Sequence, residues 1–393
     1  MSASLAALIP TRNRPDLAMN AVRSLKDQGV DIDLYVSDNS AAEGALRAFC
    51  EAEGVTYLRP PAELSMPEHW DWALRQALER SPATHFTLHY DRKFSKPGHW
   101  DRIRALADRR PDRLIAFPID HSSRVPPPLR IWQAPWTGKL YEIETARVAL
   151  LLATGRVVEA AHALPILSNC VVPRGALDAI AARFGDICNS TGPDSAFMCR
   201  FLALEDRYLF ADRPTGIVYA SERSNGMGYL SGKGGDFADF LDTFGDREWL
   251  GAAPLPGLNL GQNMLYHEYE IVRRETGDRL PPLDRAGVLA ELGQALRWVD
   301  DPARRAALLE RLRREGYDGP VPGRLPRRRV RSRIVQFLWR HRARRGWAPP
   351  HICGFAFRSD EAAIAAGLRF PRAAQADADH LALLRPAEIP EAP

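Results

Sequence analysis

Cysteine is scarce in the sequence, and its spacing argues against two kinds of site. The 393 residues contain five cysteines, and no two of them form a Cys-x-x-Cys pair. The odd number and scattered positions argue against a disulfide framework and against a zinc cluster. Reduced thiols in a cytosolic protein are therefore expected. A basic leader followed by an apolar stretch is also missing, so we expect no signal peptide.

Long apolar runs and a strong charge of one sign are missing as well. The apolar stretch 146–153 is interrupted by Arg147 and followed by Arg156, so no membrane-spanning segment is expected. The net charge of +4 is too small to imply nucleic-acid binding by itself. Hydrophobic residues make up 45% and charged residues 26% of the chain, which is typical of globular proteins. The length suggests two or three domains.

Strands and helices alternate over about the first 120 residues. Apolar residues before Pro10 predict a first strand, and Pro15 suits the first turn of a helix. Ser65 and Glu68 have the spacing of a capping box at the start of another helix. This alternation predicts an α/β fold with a mostly parallel, Rossmann-like sheet flanked by helices.

After Pro126 the pattern loosens. Residues 129–143 suggest a hairpin around Thr137 and Gly138, and residues from about 250 onward are mostly helical in pattern. We therefore predict three parts, which are an α/β domain over 1–235, a mainly helical extension over 236–372 and a flexible tail over 373–393.

Three polar turns follow predicted strand ends, at 10–14, 37–40 and 89–93. Ligands of open parallel sheets bind beyond the carboxyl ends of the strands, so these turns mark the candidate site. The arginines of the first turn precede a helix, where phosphate binds well. An acidic residue after the second strand would suit NAD, but the first turn lacks the glycines of a dinucleotide site, which disfavours that cofactor.

The segments ALIPTRNRPDLAMNAVRSLKDQ (7–28), DLYVSDNS (33–40) and HFTLHYDRKFSKPGHW (85–100) resemble the start of an inverting family 2 glycosyltransferase with a GT-A fold. A looser similarity extends to about residue 230. The resemblance implies transfer of a sugar from a nucleotide-diphosphate sugar to an acceptor hydroxyl. It further implies donor binding by a set of residues at the strand ends, namely Pro10, Thr11, Arg14, Asp38 and Arg92.

The resemblance also implies a divalent cation, Mn²⁺ or Mg²⁺, on an acidic motif after the fourth strand. That motif usually has two or three acids, whereas this sequence reads His89-Tyr90-Asp91. Asp91 supplies one ligand, and His89 suits Mn²⁺ better than Mg²⁺. Arg92 and Lys93 could instead neutralise the diphosphate directly. A catalytically degenerate nucleotide-binding or scaffold protein is therefore the alternative function.

The catalytic base implied by the resemblance is Asp194, at the start of the predicted helix 193–204. A helix N-terminus favours a charged carboxylate, so we expect Asp194 to be ionised at neutral pH. Structural roles remain open for each acid. Asp194 could only cap its helix, Asp38 could form an Asx-turn with Ser40, and Asp91 could pair with Arg92 or Lys93. Glu205 and Glu222 are the next candidates for the base.

A segment over 324–345 is rich in arginine and carries apolar and aromatic residues between the charges. Such a basic helix suits a membrane surface, a nucleic acid, or a solvated face packed on the rest of the protein. Nucleic acid is disfavoured, and packing with solvation is favoured over peripheral membrane contact. The expected location is cytoplasmic, with the inner membrane face as an option, and the acceptor is a glycan, a lipid-linked molecule or a small molecule.

Overall fold

The computed structural model describes residues 3–123, 130–132, 136–220, 250–299, 301–320, 353–354 and 381–390. Two predicted features lie outside these ranges. They are the arginine-rich segment 324–345 and the loop that contains Glu222. The described residues form an α/β fold, as the sequence predicts.

The large sheet places its parallel strands at one end. It contains nine of the described strands, which are β1 (Leu5–Thr11), β2 (Ile32–Asp38), β3 (Thr56–Leu58), β4 (His85–Leu88), β6 (Ile115–Ala116), β9 (Leu140–Glu144), β10 (Cys170–Pro173), β11 (Arg207–Ala211) and β14 (Ala387–Ile389). Their order is β14-β9-β11-β6-β10-β4-β1-β2-β3. The pairs β2–β3, β1–β2 and β1–β4 are parallel, and only β9 and β10 run against the other strands.

A smaller sheet lies beside the candidate motif. It consists of β5 (Lys93–Ser95), β7 (Asp120–Ser123), β8 (Arg130–Trp132), β12 (Gly216–Ala220) and β13 (Cys353–Gly354). The predicted hairpin around Thr137 is wrong, because β8 pairs with β7 and β13 while β9 belongs to the large sheet. The turn instead docks on Asp212, whose Oδ2 accepts hydrogen bonds from the Thr137 amide and hydroxyl at 2.8 Å each.

Helices cover both faces of the large sheet. They are α1 (Pro15–Lys26), α2 (Ala45–Glu53), α3 (Met66–Arg80), α4 (His99–Arg109), α5 (Thr145–Ala153), α6 (Val157–Ala160), α7 (Arg174–Phe184), α8 (Pro193–Leu204), α9 (Gly261–Glu275), α10 (Arg285–Ala295) and α11 (Pro302–Arg314). The predicted capping box of α3 is confirmed, with the Ser65 hydroxyl accepting from the Glu68 amide and the Glu68 carboxylate from the Ser65 amide. None of the described helices has the length and apolar character to cross a membrane.

Alternation along β1 divides the core between the two faces. Ala6 and Leu8 point into a cluster shared with α3, α5, α8, α9 and α10. Leu5, Ala7 and Ile9 point into a second cluster shared with α1, α2 and α4. Every residue of β1 is buried, as expected for a strand covered on both faces.

The predicted boundary at 235/236 does not separate two cores. Tyr266 and Tyr269 of α9 lie in the same hydrophobic cluster as Phe197 of α8. Gly155 and Gly287 bring the two parts into backbone contact, since a Cβ on Gly155 would lie 2.1 Å from the Gly287 carbonyl oxygen. Residues 250–299 are thus part of the α/β body.

The predicted flexible tail also differs from the structure where it is described. Residues Ala387–Ile389 form β14, which pairs antiparallel with β9. Leu381 and Leu384 are buried in the core that α9 and α10 share. Leu381 and Leu384 supply apolar contacts that hold this stretch of an Ala- and Pro-rich tail.

Candidate active site

The ends of three parallel strands meet at one edge of the sheet, as predicted. Thr11 lies opposite Asp38 in the β1–β2 register, and Pro10 lies opposite Ser37. The Thr11 hydroxyl donates to Asp91 Oδ2 at 2.9 Å. Strand geometry explains this convergence, because the carboxyl ends of parallel neighbours share one edge.

Asp91 is buried and paired with the first turn. Besides the Thr11 hydroxyl, its Oδ2 has the Arg14 guanidinium Nε at 2.9 Å. Arg14 is the N-cap residue of α1, so its side chain reaches from the helix start to the end of the neighbouring strand. Asp91 therefore forms its ion pair with Arg14, and not with its sequence neighbours Arg92 and Lys93.

His89 does not present a free nitrogen to the site. Its Nδ1 lies 3.1 Å from the Tyr90 carbonyl oxygen and its Nε2 lies 3.3 Å from the Ser95 hydroxyl. The ring is fully buried, and burial lowers the pKa of His89 well below its ordinary value, helped by the Lys93 ammonium. His89 as a metal ligand does not fit this arrangement.

The donor set as a whole does not fit a divalent cation. Mg²⁺ and Mn²⁺ need several oxygen ligands, and Asp91 offers one carboxylate whose Oδ2 already faces Arg14. Among the described residues, no group of three or more His, Cys, Asp and Glu side chains is placed to hold a metal ion.

Asp38 forms the Asx-turn that was one of its two expected roles. Its Oδ1 accepts from the Ser40 amide at 3.0 Å and from the Ser40 hydroxyl. Its Oδ2 accepts from the Tyr57 hydroxyl at 3.0 Å. Ser40 in turn accepts from the Asn13 amide, at 2.8 Å, which joins the first and second turns. The carboxylate thus organises the edge on which a nucleotide would rest.

Arg92 interacts electrostatically with both candidate carboxylates, Asp91 and Asp194. Its guanidinium sits 4.9 Å from the centroid of the Tyr90 ring, a cation–π contact. Burial lowers the pKa of Arg92, while Tyr90, Asp91 and Asp194 favour its charged form. The Arg92 carbonyl accepts from the Tyr219 amide at 2.8 Å, which anchors this residue to β12.

Asp194 is joined to the same edge through Tyr90. It is the second residue of α8, and its Oδ2 accepts a hydrogen bond from the Tyr90 hydroxyl. Its Oδ1 accepts from the Ser168 amide at 3.1 Å. Burial raises the pKa of Asp194, although Tyr90, Ser168 and Arg92 lower it. Desolvation therefore acts against the helix N-terminus on this carboxyl group, and ionisation of Asp194 at neutral pH stays a prediction.

Lys93 does not face the diphosphate position that the sequence suggested. It is fully buried, donates to the Ser168 carbonyl oxygen at 2.9 Å and lies over the Phe117 ring. Burial lowers the pKa of Lys93 to about 7. Lys93 therefore supports the turn before β10 that carries Ser168.

The sequence analysis missed Tyr90 and Ser168 as neighbours of Asp194. Tyr90 stood inside the motif and could have been noticed there. Ser168 precedes β10 and contacts Asp194 only in the folded chain, because the two residues are distant in sequence. No local sequence pattern therefore indicates this contact. Trp70 is also buried, and its ring contacts the Tyr90 ring, with centroids 5.7 Å apart.

Comparison with known proteins yields no family. No protein-family profile and no curated protein matches the chain. Among solved structures, TarS of S. aureus aligns at 12% identity and a TM-score of 0.43, over 80% of this chain and 53% of that one. This chain therefore spans about half the length of that TarS chain.

Two structures of TarS 1-349 align similarly. The complex with UDP has 12% identity and a TM-score of 0.43, covering 78% of this chain and 83% of that one. The complex with UDP-GlcNAc has 11% identity and a TM-score of 0.44, covering 79% and 89%. At these TM-scores the likeness assigns neither a family nor an activity.

Proposed function

We propose that the chain is a glycosyltransferase that moves a sugar from a nucleoside-diphosphate sugar to an acceptor hydroxyl, with inversion. The observation that carries this proposal is the linkage of Thr11, Asp91 and Arg14 at the strand ends, joined by Tyr90 to Asp194. The motif resemblance over residues 7–100 supports the same activity.

The donor would bind across the first two turns. Asp38 and its turn would contact the nucleoside, with Pro10 and Thr11 forming the floor beneath it. The diphosphate would lie near the start of α1, where backbone amides and the helix dipole favour an anion. Arg14, which forms an ion pair with Asp91, and Arg92 would add positive charge there.

Asp194 would act as general base. The acceptor oxygen attacks the anomeric carbon from the face opposite the diphosphate, so the carbon–oxygen bond to the phosphate breaks as the new bond forms. The hydroxyl proton passes to Asp194, and the nucleoside diphosphate leaves with its charge stabilised by arginine. The raised pKa of Asp194 makes its carboxylate a stronger base, which suits proton abstraction.

A second candidate is a nucleotide-binding or scaffold protein without turnover. The observation that favours it is the single acid of the metal motif, which is already paired with Arg14. In this case the edge of the sheet would bind the nucleotide but lack the charge stabilisation needed for departure of the diphosphate.

One experiment separates the two functions. The protein is incubated with a panel of nucleoside-diphosphate sugars, with EDTA, Mg²⁺ or Mn²⁺, and with pooled glycan, lipid-linked and small-molecule acceptors. Release of free nucleoside diphosphate that depends on acceptor supports the glycosyltransferase. Calorimetric binding of a nucleoside diphosphate without release under any condition supports the scaffold, and absence of both contradicts the proposed site.

A further inference from the structure

Glu268 of α9 reaches the turn that precedes Asp194. Its side chain is buried, and its Oε1 accepts a hydrogen bond from the Gly192 amide at 2.7 Å. Gly192 is the N-cap residue of α8 and has no side chain that could cap this helix. A carboxylate from a distant helix therefore holds the first turn of the helix that carries the candidate base.

Met264 adds a packing contact to the same turn. A Cβ on Gly192 would lie 3.3 Å from Met264 Cγ and Sδ, so α9 approaches the turn closely. Met264 and Glu268 are four residues apart and share one face of α9. The φ of Gly192 is −122°, which any residue adopts, so a larger residue here would be limited only by the space that Met264 leaves.

The loop before Gly192 is held from the opposite side. Asp71 Oδ1 of α3 accepts from the Ile187 and Cys188 amides at 2.6 and 3.1 Å. Arg200 of α8 forms an ion pair with Asp186. With the loop fixed by α3, the contact from α9 leaves the start of α8 little freedom to shift.

Glu268 occupies an unfavourable place for a carboxylate. Burial raises the pKa of Glu268 to about 7, although Ser190, the Gly192 amide and Arg200 favour its charged form. Burying an acid has a cost in folding free energy that an apolar residue would avoid. The hydrogen bond from the Gly192 amide partly offsets this cost.

We infer that Glu268 is a positioning residue for Asp194, because it fixes the Gly192 turn and so the place of the Asp194 carboxylate beside Tyr90 and Ser168. This inference rests on the proposed function. Displacement of a catalytic group by about 1 Å can lower turnover roughly 100-fold. The helices after residue 250 would thereby form part of the catalytic apparatus.

Glu291 of α10 provides a matched control. It is also buried, and its carboxylate accepts from the Val157 and Val158 amides, at 3.2 and 3.3 Å. It therefore caps the start of α6 and has the same chemistry as Glu268. Its Oε2 also accepts from the Tyr266 hydroxyl of α9. None of these hydrogen bonds reaches the Gly192 turn, so its loss should affect stability without moving Asp194.

The test compares Glu268→Ala, Glu268→Gln and Glu291→Ala in the full chain. For each variant, kcat and donor KM are measured by nucleoside diphosphate release, and hydrogen exchange is followed in the peptide covering 189–200. We expect Glu268→Ala to lower kcat about 10- to 100-fold, to leave donor KM within about two-fold and to speed exchange in that peptide. Glu268→Gln, whose amide oxygen still accepts from Gly192, should restore most of kcat, and Glu291→Ala should keep it.

Gly192→Ala is a further variant, for the case in which Glu268→Ala does not fold. Its methyl group presses on Met264 and should lower kcat, and adding Met264→Ala should restore it. Equal kcat in wild type and Glu268→Ala, or equal losses in Glu268→Ala and Glu291→Ala, would overturn the inference. Wild-type protein that releases no nucleoside diphosphate would overturn the proposed function and with it the catalytic role of Glu268, whatever the exchange data show.

Discussion

The Thr11 hydroxyl donates a hydrogen bond to Asp91 Oδ2 at 2.9 Å, across 80 positions of sequence. The same oxygen faces the Arg14 guanidinium, also at 2.9 Å. The first turn and the fourth strand end thus form one charged unit. Because Asp91 Oδ2 is paired with Arg14, this oxygen is less available as a metal ligand.

Asp194→Asn should abolish most turnover while leaving the donor bound. The amide keeps the shape and one accepting oxygen but cannot take a proton, so kcat should fall by roughly 10²–10⁴. The donor dissociation constant, measured by calorimetry, should barely change. Asp178→Asn, an exposed acid on α7, is the control and should retain full activity. Normal turnover in Asp194→Asn would mean that Asp194 has only a structural role at the start of α8.

Arg92→Gln should weaken nucleoside diphosphate binding, and EDTA should not. Loss of a hydrogen bond to a charged group is worth about 1.5–3 kcal/mol, a roughly 10- to 100-fold rise in dissociation constant. The exposed Arg110→Gln serves as a charge-matched control. If EDTA abolishes binding and Mn²⁺ restores it, the result would instead support a metal site formed by Asp91 and His89.

Asp38→Ala should weaken nucleoside diphosphate binding by about 1.5–3 kcal/mol if the carboxylate contacts the nucleoside. Tyr57→Phe is the comparison, because it removes one partner of Asp38 Oδ2 and keeps the carboxylate. Calorimetry should show a much smaller loss for Tyr57→Phe. Two variants that lose stability but bind the nucleotide normally would mean that Asp38 only forms its turn.

Glu268→Gln should flatten the pH dependence of stability. The pKa of Glu268 is raised from 4.5 to about 7, so the folded state holds the proton more tightly than the unfolded state. Its contribution to stability is fully present below about pH 4.5 and is lost as the pH rises through about 7.

Urea unfolding of wild type and Glu268→Gln at pH 5 and pH 8 measures this effect. The wild type should lose up to about 3 kcal/mol more than the variant between these pH values. Glu275→Gln, on the exposed face of the same helix, should behave like the wild type. Parallel pH profiles for wild type and Glu268→Gln would show that the buried acid does not titrate in this range.

Three features could be predicted from the sequence alone, namely the α/β alternation of the first 120 residues, the capped start of α3 and the sheet edge at which Thr11, Asp38 and Asp91 meet. These features follow from local periodicity, from capping chemistry and from the geometry of parallel strands, all of which act over short stretches of chain.

Which side chains contact one another at this sheet edge depends on tertiary packing and could not be predicted. The ion pair of Asp91 with Arg14, the hydrogen bonds of Asp194 to Tyr90 and Ser168, and the reach of Glu268 to Gly192 join segments distant in sequence. Burial set their protonation as well, because desolvation depends on what packs around a group and not on its sequence neighbours.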